Sequence, residues 1–185
     1  HEPGEPRLLG AWICGEQINA IVALSTDHIL LGVENALQLI DVKKPAEPRL
    51  LGEWLGEEGG VGAMFALSPA RVFVGRNDGQ LQLFDFTDFA EPRLISTWTY
   101  GDTILSIHAV VADRVFVGGL GGKLQLLNFE DPKNPSLIEE LKGNSEINSI
   151  FAFSPNCMLT GGSGASLRVF AQDPDKLRVF HERQA

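Results

Sequence analysis

Residues whose side chains could catalyse a reaction or hold a metal are few in this chain. Its 185 residues include four histidines and two cysteines, and no pair of His, Cys or carboxylate residues has the spacing of a metal-ligand motif. No nucleophile elbow or Ser/His/Asp set is found either. The sequence therefore predicts neither an enzyme nor a bound metal or cofactor.

Two histidines lie in the body of the chain, at positions that favour a structural role. His28 occupies a turn position that holds arginine or cysteine in related segments. His108 replaces valine or phenylalanine in an apolar run, which favours a half-buried core histidine. A polar group on that run could instead contact a ligand, so this alternative stays open for His108.

One glycine-rich stretch, at residues 118–123, resembles a phosphate-binding loop. A P-loop requires glycine five residues before its Gly-Lys pair and Ser or Thr directly after it. Val117 and Leu124 stand at those two places. Because the stretch aligns with glycine-containing segments at 75–79 and 161–164, we predict a hairpin turn.

Two small residue types recur with one fixed spacing, which identifies an internal repeat. Both recur every 43 residues, alanine at positions 23, 66, 109 and 152 and glycine at positions 32, 75, 118 and 161. Repeats of about 40–45 residues with four short strands are typical of β-propeller blades. A blade buries its faces only by stacking on its neighbours.

Each copy contains four short apolar runs, as a four-stranded blade requires. In the second copy the runs lie at 61–68, 72–75, 81–85 and 92–98. Turn-forming residues separate the first two runs, and prolines precede the fourth, which suits an outer edge strand. The prediction is an all-β fold of about four antiparallel blades within a single domain, 1–185, with repeats at about 16–54, 60–98, 102–141 and 146–181.

The repeats resemble those of two related propeller families. Residues 147–155, Ile-Asn-Ser-Ile-Phe-Ala-Phe-Ser-Pro, followed by Leu167-Arg168-Val169-Phe170, are similar to a WD repeat. Residues 37–42, Leu-Gln-Leu-Ile-Asp-Val, followed by Pro48-Arg49-Leu50-Leu51, are similar to the LVIVD repeat, many of whose members are prokaryotic surface proteins. The resemblance covers nearly the whole chain and implies a propeller, but no single function, because propellers host many unrelated activities.

The fourth-strand pattern occurs five times, once more than the other three. Residues 5–12 repeat the Pro-Arg-Leu-Leu-Gly-x-Trp pattern of residues 48–54, and residues 176–180 supply another fourth run. We therefore predict that residues 5–12 form an outer strand, with Leu8 and Trp12 buried, in a sheet whose other strands do not directly precede them. Replacing Trp12 with alanine should then cost about 3–5 kcal/mol.

Two arrangements account for the extra run. The leading strand could complete the last blade of a closed four-bladed ring, or the blades could form an arc that is completed by further blades or a second copy. An arc exposes two apolar blade faces, and such faces are normally covered. We favour the arc because closed four-bladed rings are unusual.

Composition narrows the compartment and the class of partner. The net charge of −9 works against binding to phosphate backbones, so nucleic acid is not an expected partner.

No apolar run approaches the roughly 18 residues of a membrane-spanning helix, and no signal peptide is recognised. Cys14 and Cys157 fall at opposite ends of the predicted strands, too far apart for a disulfide. We expect a cytoplasmic protein, or an extracellular or cell-surface protein if a leader has been removed.

Variation between the copies concentrates in loops that a propeller places around one mouth of its channel. The residues predicted to bind a partner there are Glu34, Asn35, Glu57, Glu58, Arg76, Asn77, Asp78, Tyr100, Asp102 and Glu146. Because many of them are acidic, we predict a non-catalytic scaffold that binds a protein or peptide with a basic segment. The alternative function is a propeller that binds a small ligand or glycan at the channel mouth, with His108 involved.

The repeat spacing makes a direct prediction for secondary structure in solution. A far-UV circular dichroism spectrum of the purified chain should be dominated by β-structure, because every copy contains four apolar runs of strand length. A helix-dominated spectrum would contradict the division of the repeat into blades.

Overall fold

The computed structural model describes residues 5–56, 59–154, 157–164, 166–173 and 176–184. Their regular structure consists of sixteen β-strands in four antiparallel, four-stranded sheets. This confirms the predicted all-β fold class and the four strands of each repeat. Within the described ranges, no helix long and apolar enough to cross a membrane is found.

Each sheet is built from four successive strands that lie side by side in chain order. The first sheet comprises β1 (Ile18–Ala23), β2 (His28–Val33), β3 (Ala36–Asp41) and β4 (Arg49–Leu55). The second comprises β5 (Val61–Ser68), β6 (Arg71–Arg76), β7 (Gln80–Asp85) and β8 (Arg93–Thr99). The third comprises β9 (Ile104–Val111), β10 (Arg114–Gly119), β11 (Lys123–Asn128) and β12 (Ser136–Lys142). The fourth comprises β13 (Ser149–Ser154), β14 (Cys157–Gly161), β15 (Ser166–Asp173) and β16 (Lys176–Gln184).

The second strand of each middle sheet is covered from both sides, which explains its continuous apolar sequence. Residues 72–76 of β6 and 115–119 of β10 are all buried. A strand with a sheet packed on each face cannot alternate between core and solvent, so β-branched and aromatic residues follow one another. The burial pattern is therefore that of stacked sheets.

The core lies in three layers between successive sheets. The first layer contains Leu30, Leu39, Val72, Val74 and Phe86. The second layer contains Phe73, Leu83, Val115, Val117 and Phe129. The third layer contains Phe116, Leu126, Ile147, Met158 and Phe170. Each of these layers draws side chains from two neighbouring sheets, and a smaller cluster, with Leu31, Val33 and Ile40, lies on the outer face of the first sheet.

The repeat glycine is required where one sheet meets the next. A Cβ atom added to Gly32 would lie 2.5 Å from Cγ1 of Val61, and one added to Gly75 would lie 2.4 Å from Cγ2 of Ile104. Gly118 has the same relation to Ile147, at 2.5 Å. Such distances are far inside van der Waals contact, so any larger residue would force the sheets apart.

The sheets form a series that does not close on itself. The innermost strands pack in the order β1, β5, β9, β13. Among the described residues, no packing of comparable extent joins the fourth sheet back to the first. The described residues therefore have the open arrangement, in which no sheet covers the outer face of the fourth sheet, and residues of the leading segment, not a sheet, cover part of the outer face of the first.

The prediction that residues 5–12 form a β-strand is wrong. Residues 5–14 have no strand structure, and Leu8, which was expected to be buried, is 87% exposed. An isolated extended segment has no neighbouring backbone groups to pair with, so it lacks the hydrogen bonds that define a strand. Trp12 follows the prediction more closely, since it is half-buried against Leu31 and Ile40 of the first sheet.

Three smaller predictions are confirmed. Residues 176–180 lie within β16, the outer strand of the fourth sheet. The glycine-rich stretch at 118–123 joins β10 to β11 in a hairpin, in which Gly122 adopts a φ of 73°. His28 lies directly after the turn between β1 and β2, as the first residue of β2, and its backbone N–H donates to Oγ of Ser25 in that turn at 3.1 Å.

Trp12 and Trp98 occupy matching positions and differ in how well they are covered. The indole Nε1 of Trp98 donates to Oε1 of Gln125 at 3.0 Å, and its ring packs on the second core layer. The indole Nε1 of Trp12 donates to Oε1 of Gln38 at 3.4 Å, on a face that has no complete sheet over it.

The two tryptophans should therefore differ in their contribution to stability. We predict that Trp98→Ala lowers the free energy of unfolding by about 3–5 kcal/mol, and that Trp12→Ala lowers it by only about 1–2 kcal/mol. Urea titrations of both variants would measure the difference. Equal losses would show that the leading segment is as firmly packed as an internal strand.

Candidate partner-binding surface

The predicted partner-binding loops lie together at one end of the sheets. They join the second strand to the third within each sheet and the fourth strand to the first of the next sheet. Because neighbouring strands are antiparallel, these two sets of loops come to the same edge. The turns between first and second strands lie at the opposite end.

Hydrogen bonds join the loops of the first and second sheets. The backbone N–H of Val61 donates to the carbonyl oxygen of Glu34 at 2.6 Å, and that of Gly56 donates to the carbonyl oxygen of Asn35 at 2.8 Å. The side-chain oxygen of Asn35 accepts from the N–H of Gly60 at 2.6 Å. The two loops are thus held by backbone and side-chain bonds together.

The same linkage continues across the second and third sheets. The hydroxyl group of Thr103 donates to the carbonyl oxygen of Asn77 at 2.9 Å. The carbonyl oxygen of Thr103 in turn accepts from the N–H of Leu120 at 3.0 Å. A single residue directly before β9 therefore connects the hairpin loops on either side of it.

The third and fourth sheets are joined in the same manner. The N–H of Gly143 donates to the carbonyl oxygen of Gly122 at 2.9 Å, and the N–H of Ile147 donates to that of Gly119 at 3.0 Å. The loops at this end therefore form one hydrogen-bonded belt across all four sheets. A surface tied together in this way requires little ordering when it binds a partner.

Six of the predicted residues form what we name the acidic mouth: Glu34, Asn35, Asn77, Asp78, Asp102 and Glu146. Glu34, Asn35, Asn77 and Asp78 are exposed, and Asp102 and Glu146 are half-buried. Four of the six are carboxylates, carried by loops of all four sheets. Glu57 and Glu58, which were predicted to belong here, lie outside the described residues.

The backbone at Glu34 has an unusual conformation. Its φ of 44° lies in the left-handed region, which favours glycine, and glycines hold positive φ in the equivalent hairpins at Gly79 and Gly122. A glutamate in this conformation is strained, and such residues cluster at functional sites. The turn between β2 and β3 therefore carries an exposed carboxylate on a strained backbone.

Arg76 and Tyr100 do not lie on the surface where the sequence was expected to place them. Arg76 is buried, and its Nε lies 3.8 Å from Oδ2 of Asp78, so it holds the loop from below. Tyr100 is buried as well, and its hydroxyl group donates to the carbonyl oxygen of Lys123. Both side chains support the mouth and are covered from a partner.

Burial explains the chemistry of Tyr100. It raises the pKa of the phenol far above its usual value, and the negative charges of Asp102 and Glu140 add to the effect. Nζ of Lys123 contacts the carbonyl oxygen of Tyr100 and lies over its ring, 4.3 Å from the centroid. The neutral phenol therefore acts as a structural hydrogen-bond donor.

Sequence reasoning missed a polar network beneath these loops. Oε1 of Gln125 accepts from the indole of Trp98, and its amide group donates to Oε2 of Glu140 at 2.8 Å. The same arrangement recurs at the first sheet, where Gln38 contacts Trp12 and Glu53. The recurring Leu-Gln-Leu sequence of the third strands was visible, but the sequence does not show that each glutamine bridges a carboxylate on the adjacent fourth strand and a tryptophan from outside its own sheet.

His108 lies among aromatic rings. Its ring centroid is 5.2 Å from that of Phe65 and 5.7 Å from that of Phe151. Burial lowers the pKa of the imidazole, because the apolar surroundings disfavour its charged form. These neighbours agree with the interpretation of His108 as a half-buried core histidine.

Comparison with known proteins adds no functional assignment. No known protein family matches the sequence, and no curated protein is significantly similar to it. The likeness to WD and LVIVD repeats therefore stays a prediction, whereas the four stacked sheets are compatible with propeller blades. Within the described ranges, no three His, Cys, Asp or Glu residues are grouped so that they could hold a metal ion.

The lowered pKa of His108 predicts a pH dependence of stability. Between its lowered folded pKa and about pH 6.5, the unfolded chain binds a proton that the folded chain does not, so stability falls as the pH decreases through this window. The loss should stay below about 1 kcal/mol, because the ring is only half-buried and cation–π attraction from the phenyl rings offsets part of the cost.

Phenylalanine stands at the matching position of the second and fourth repeats, so His108→Phe is the natural test. Urea titrations of both proteins between neutral and mildly acidic pH would measure the difference. We expect the variant to lose less stability on acidification than the original chain. A parallel loss in the two proteins would show that His108 does not contribute to it.

Proposed function

We propose that this chain is a non-catalytic interaction scaffold, a propeller segment of WD-like or LVIVD-like type that binds a protein or peptide partner at the acidic mouth. The observation that carries the proposal is the hydrogen-bonded belt of loops across the four sheets. It combines exposed, variable side chains with a fixed backbone, the combination that binding loops on rigid scaffolds have.

The hydrogen bonds of the belt should favour a higher affinity for a partner. A partner that binds flexible loops must order their backbone and side chains, which subtracts from the binding free energy. Here Glu34 and Asn77 lie on loops whose carbonyl groups already accept hydrogen bonds from the next sheet. The mouth would therefore bind with its geometry already in place.

The charge of the mouth selects the class of partner. Glu34, Asp78 and Asp102 project from successive hairpins and inter-sheet loops, and the buried Arg76 forms an ion pair with Asp78. A Lys/Arg-rich segment would meet complementary potential across several sheets, which speeds association and excludes acidic partners. The interaction should weaken with salt, because exposed charges are screened over about 10 Å at 0.1 M.

A second candidate function is glycan or small-ligand binding, and one observation favours it. Phe65, His108, Phe151 and Phe153 form a row whose neighbouring ring centroids are 5.1–5.7 Å apart, and Phe151 and Phe153 are exposed. Sugar rings stack on exposed aromatic faces. Saturable binding on a glycan array that is lost in Phe151→Ala would favour this function over a peptide scaffold.

Two matched variants test the acidic mouth. Glu34→Gln, Asp78→Asn and Asp102→Asn together remove three mouth charges and keep the hydrogen-bond acceptors. Glu47→Gln, Glu91→Gln and Glu130→Gln remove three exposed charges from the opposite end of the sheets. Fluorescence anisotropy with a labelled Lys/Arg-rich peptide measures binding, and an Asp/Glu-rich peptide serves as the probe control.

The mouth variant should raise the Kd of the basic peptide by about tenfold at low salt, about 1.4 kcal/mol, while the opposite-end variant leaves it within about twofold. If both variants weaken binding equally, only the net charge attracts the peptide, and the mouth is not the site. Unchanged binding in both variants would place the site elsewhere.

A further inference from the structure

The two end sheets carry the two halves of a contact that is complete at each internal joint. At those joints the first-strand side chains Val61, Ile104 and Ile147 cover Gly32, Gly75 and Gly118 of the preceding sheet. The fourth member of each set lies at an end. Among the described residues, Ile18 has no preceding sheet to cover, and Gly161 has no following sheet to cover it.

The exposure of these residues shows that both halves are unoccupied. Ile18 is 40% exposed, whereas Val61, Ile104 and Ile147 are 1%, 0% and 3% exposed. A Cβ atom added to Gly161 would meet no atom within 4 Å, in contrast to the three internal glycines. An apolar side chain and the recess that fits it are thus both free, at opposite ends of the same chain.

The rest of each end face follows the same pattern. On the fourth sheet Leu167 is 54% exposed, whereas its counterparts Leu37, Leu81 and Leu124 are 7%, 1% and 1% exposed. Phe151 and Phe153 are exposed on β13, and Ile21 is exposed on β1. We name these surfaces the leading face (Ile18, Ile21) and the trailing face (Phe151, Phe153, Gly161, Leu167).

We propose that the trailing face binds the leading face of a second copy of this chain, with Ile18 of one copy seated over Gly161 of the other. The occupant follows from the repeat itself, because the same kind of surface already covers the equivalent positions at three internal joints. A head-to-tail joint between identical chains produces a closed ring when its rotation closes.

Blade number limits the ring to two copies. Each chain supplies four sheets, so two copies give eight, and a third copy would exceed the usual four to eight blades of a propeller. Each face spans roughly 300 Å², from four strands of about five residues at standard spacings. Closing the ring buries at most four such faces, roughly 1,200 Å² in all, which is the lower end of the range of specific interfaces, because residues 5–14 already cover part of each leading face.

The leading segment, residues 5–14, lies at the outer part of the same joint. Trp12 contacts Gln38 of the first sheet as Trp98 contacts Gln125 of the third, so residues 5–14 lie where the outer strand of a preceding blade would lie. The fourth sheet already has β16 as its outer strand, so in the proposed joint β13, β14 and β15 of the incoming copy cover the inner part of the leading face, and β16 competes with residues 5–14 for the outer place. This inference is independent of the proposed peptide site, which lies on the loops, and it competes with the glycan alternative, because Phe151 and Phe153 belong to the trailing face.

The first test is the oligomeric state of the full chain. Sedimentation equilibrium between about 1 and 100 µM should show a reversible dimer. A monomer throughout this range would overturn the proposal, whether the faces stay open or the chain closes on itself. Species that grow beyond the dimer would overturn the closed ring.

Two variants locate the joint. Gly161→Val fills the recess, and Ile21→Asp places a charge on the leading face. Both should be monomeric and keep the melting temperature of the monomer, because Gly161 has open space around it and Ile21 is exposed. Leu120→Asp is the matched control, since Leu120 is an exposed apolar residue on a hairpin loop, and it should dimerise like the original chain.

Mixing the two variants tests the head-to-tail geometry. Gly161→Val retains an intact leading face and Ile21→Asp an intact trailing face, so their mixture has one functional joint and should form a dimer at higher concentration than the original chain. A mixture that stays monomeric, or a Gly161→Val variant that dimerises alone, would overturn the assignment of the faces.

Discussion

The close contact between a repeat glycine and the first-strand side chain of the next sheet is the constraint on which the rest of this structure depends. At Gly75 the Cβ position is already occupied by Ile104, so the two sheets approach as closely as backbone permits. This approach allows Phe73 and Val117 to share one core layer, and no sheet could bury these side chains alone. The 43-residue spacing of the glycines thus reflects a contact that recurs between neighbouring sheets.

The same approach brings the loops at one end within hydrogen-bonding distance. Thr103 reaches Asn77 on one side and Leu120 on the other only because the sheets are stacked closely. Side chains that differ between the copies are therefore carried by loops whose backbone is held by hydrogen bonds between the sheets. The loops that differ between the copies and the strands that repeat are thus held by one packing arrangement, on which the proposed binding role rests.

The periodicity of the sequence was sufficient to predict the four sheets, the four strands of each sheet and the hairpin at residues 118–123, because these depend on local alternation and turn chemistry. It was not sufficient for the leading segment. Residues 5–12 carry the pattern of an outer strand, yet a strand also needs a neighbour, and residues 5–14 lie against the first sheet without one. Tyr100 and Arg76 were placed on the surface because their loops are there, whereas their side chains turn inward to Lys123 and Asp78.

The sequence by itself determined the repeat, the strand content and the acidic character of the loops, because each depends only on residue type and spacing. Only the tertiary structure decided which side of each strand is covered, that the series stays open, and that Gly161 and Ile18 face solvent while their counterparts are buried. The physical reason is that these properties belong to pairs of sheets. Identical local patterns at positions 18, 61, 104 and 147 specify the same strand, but a side chain is buried only where another sheet is present to cover it.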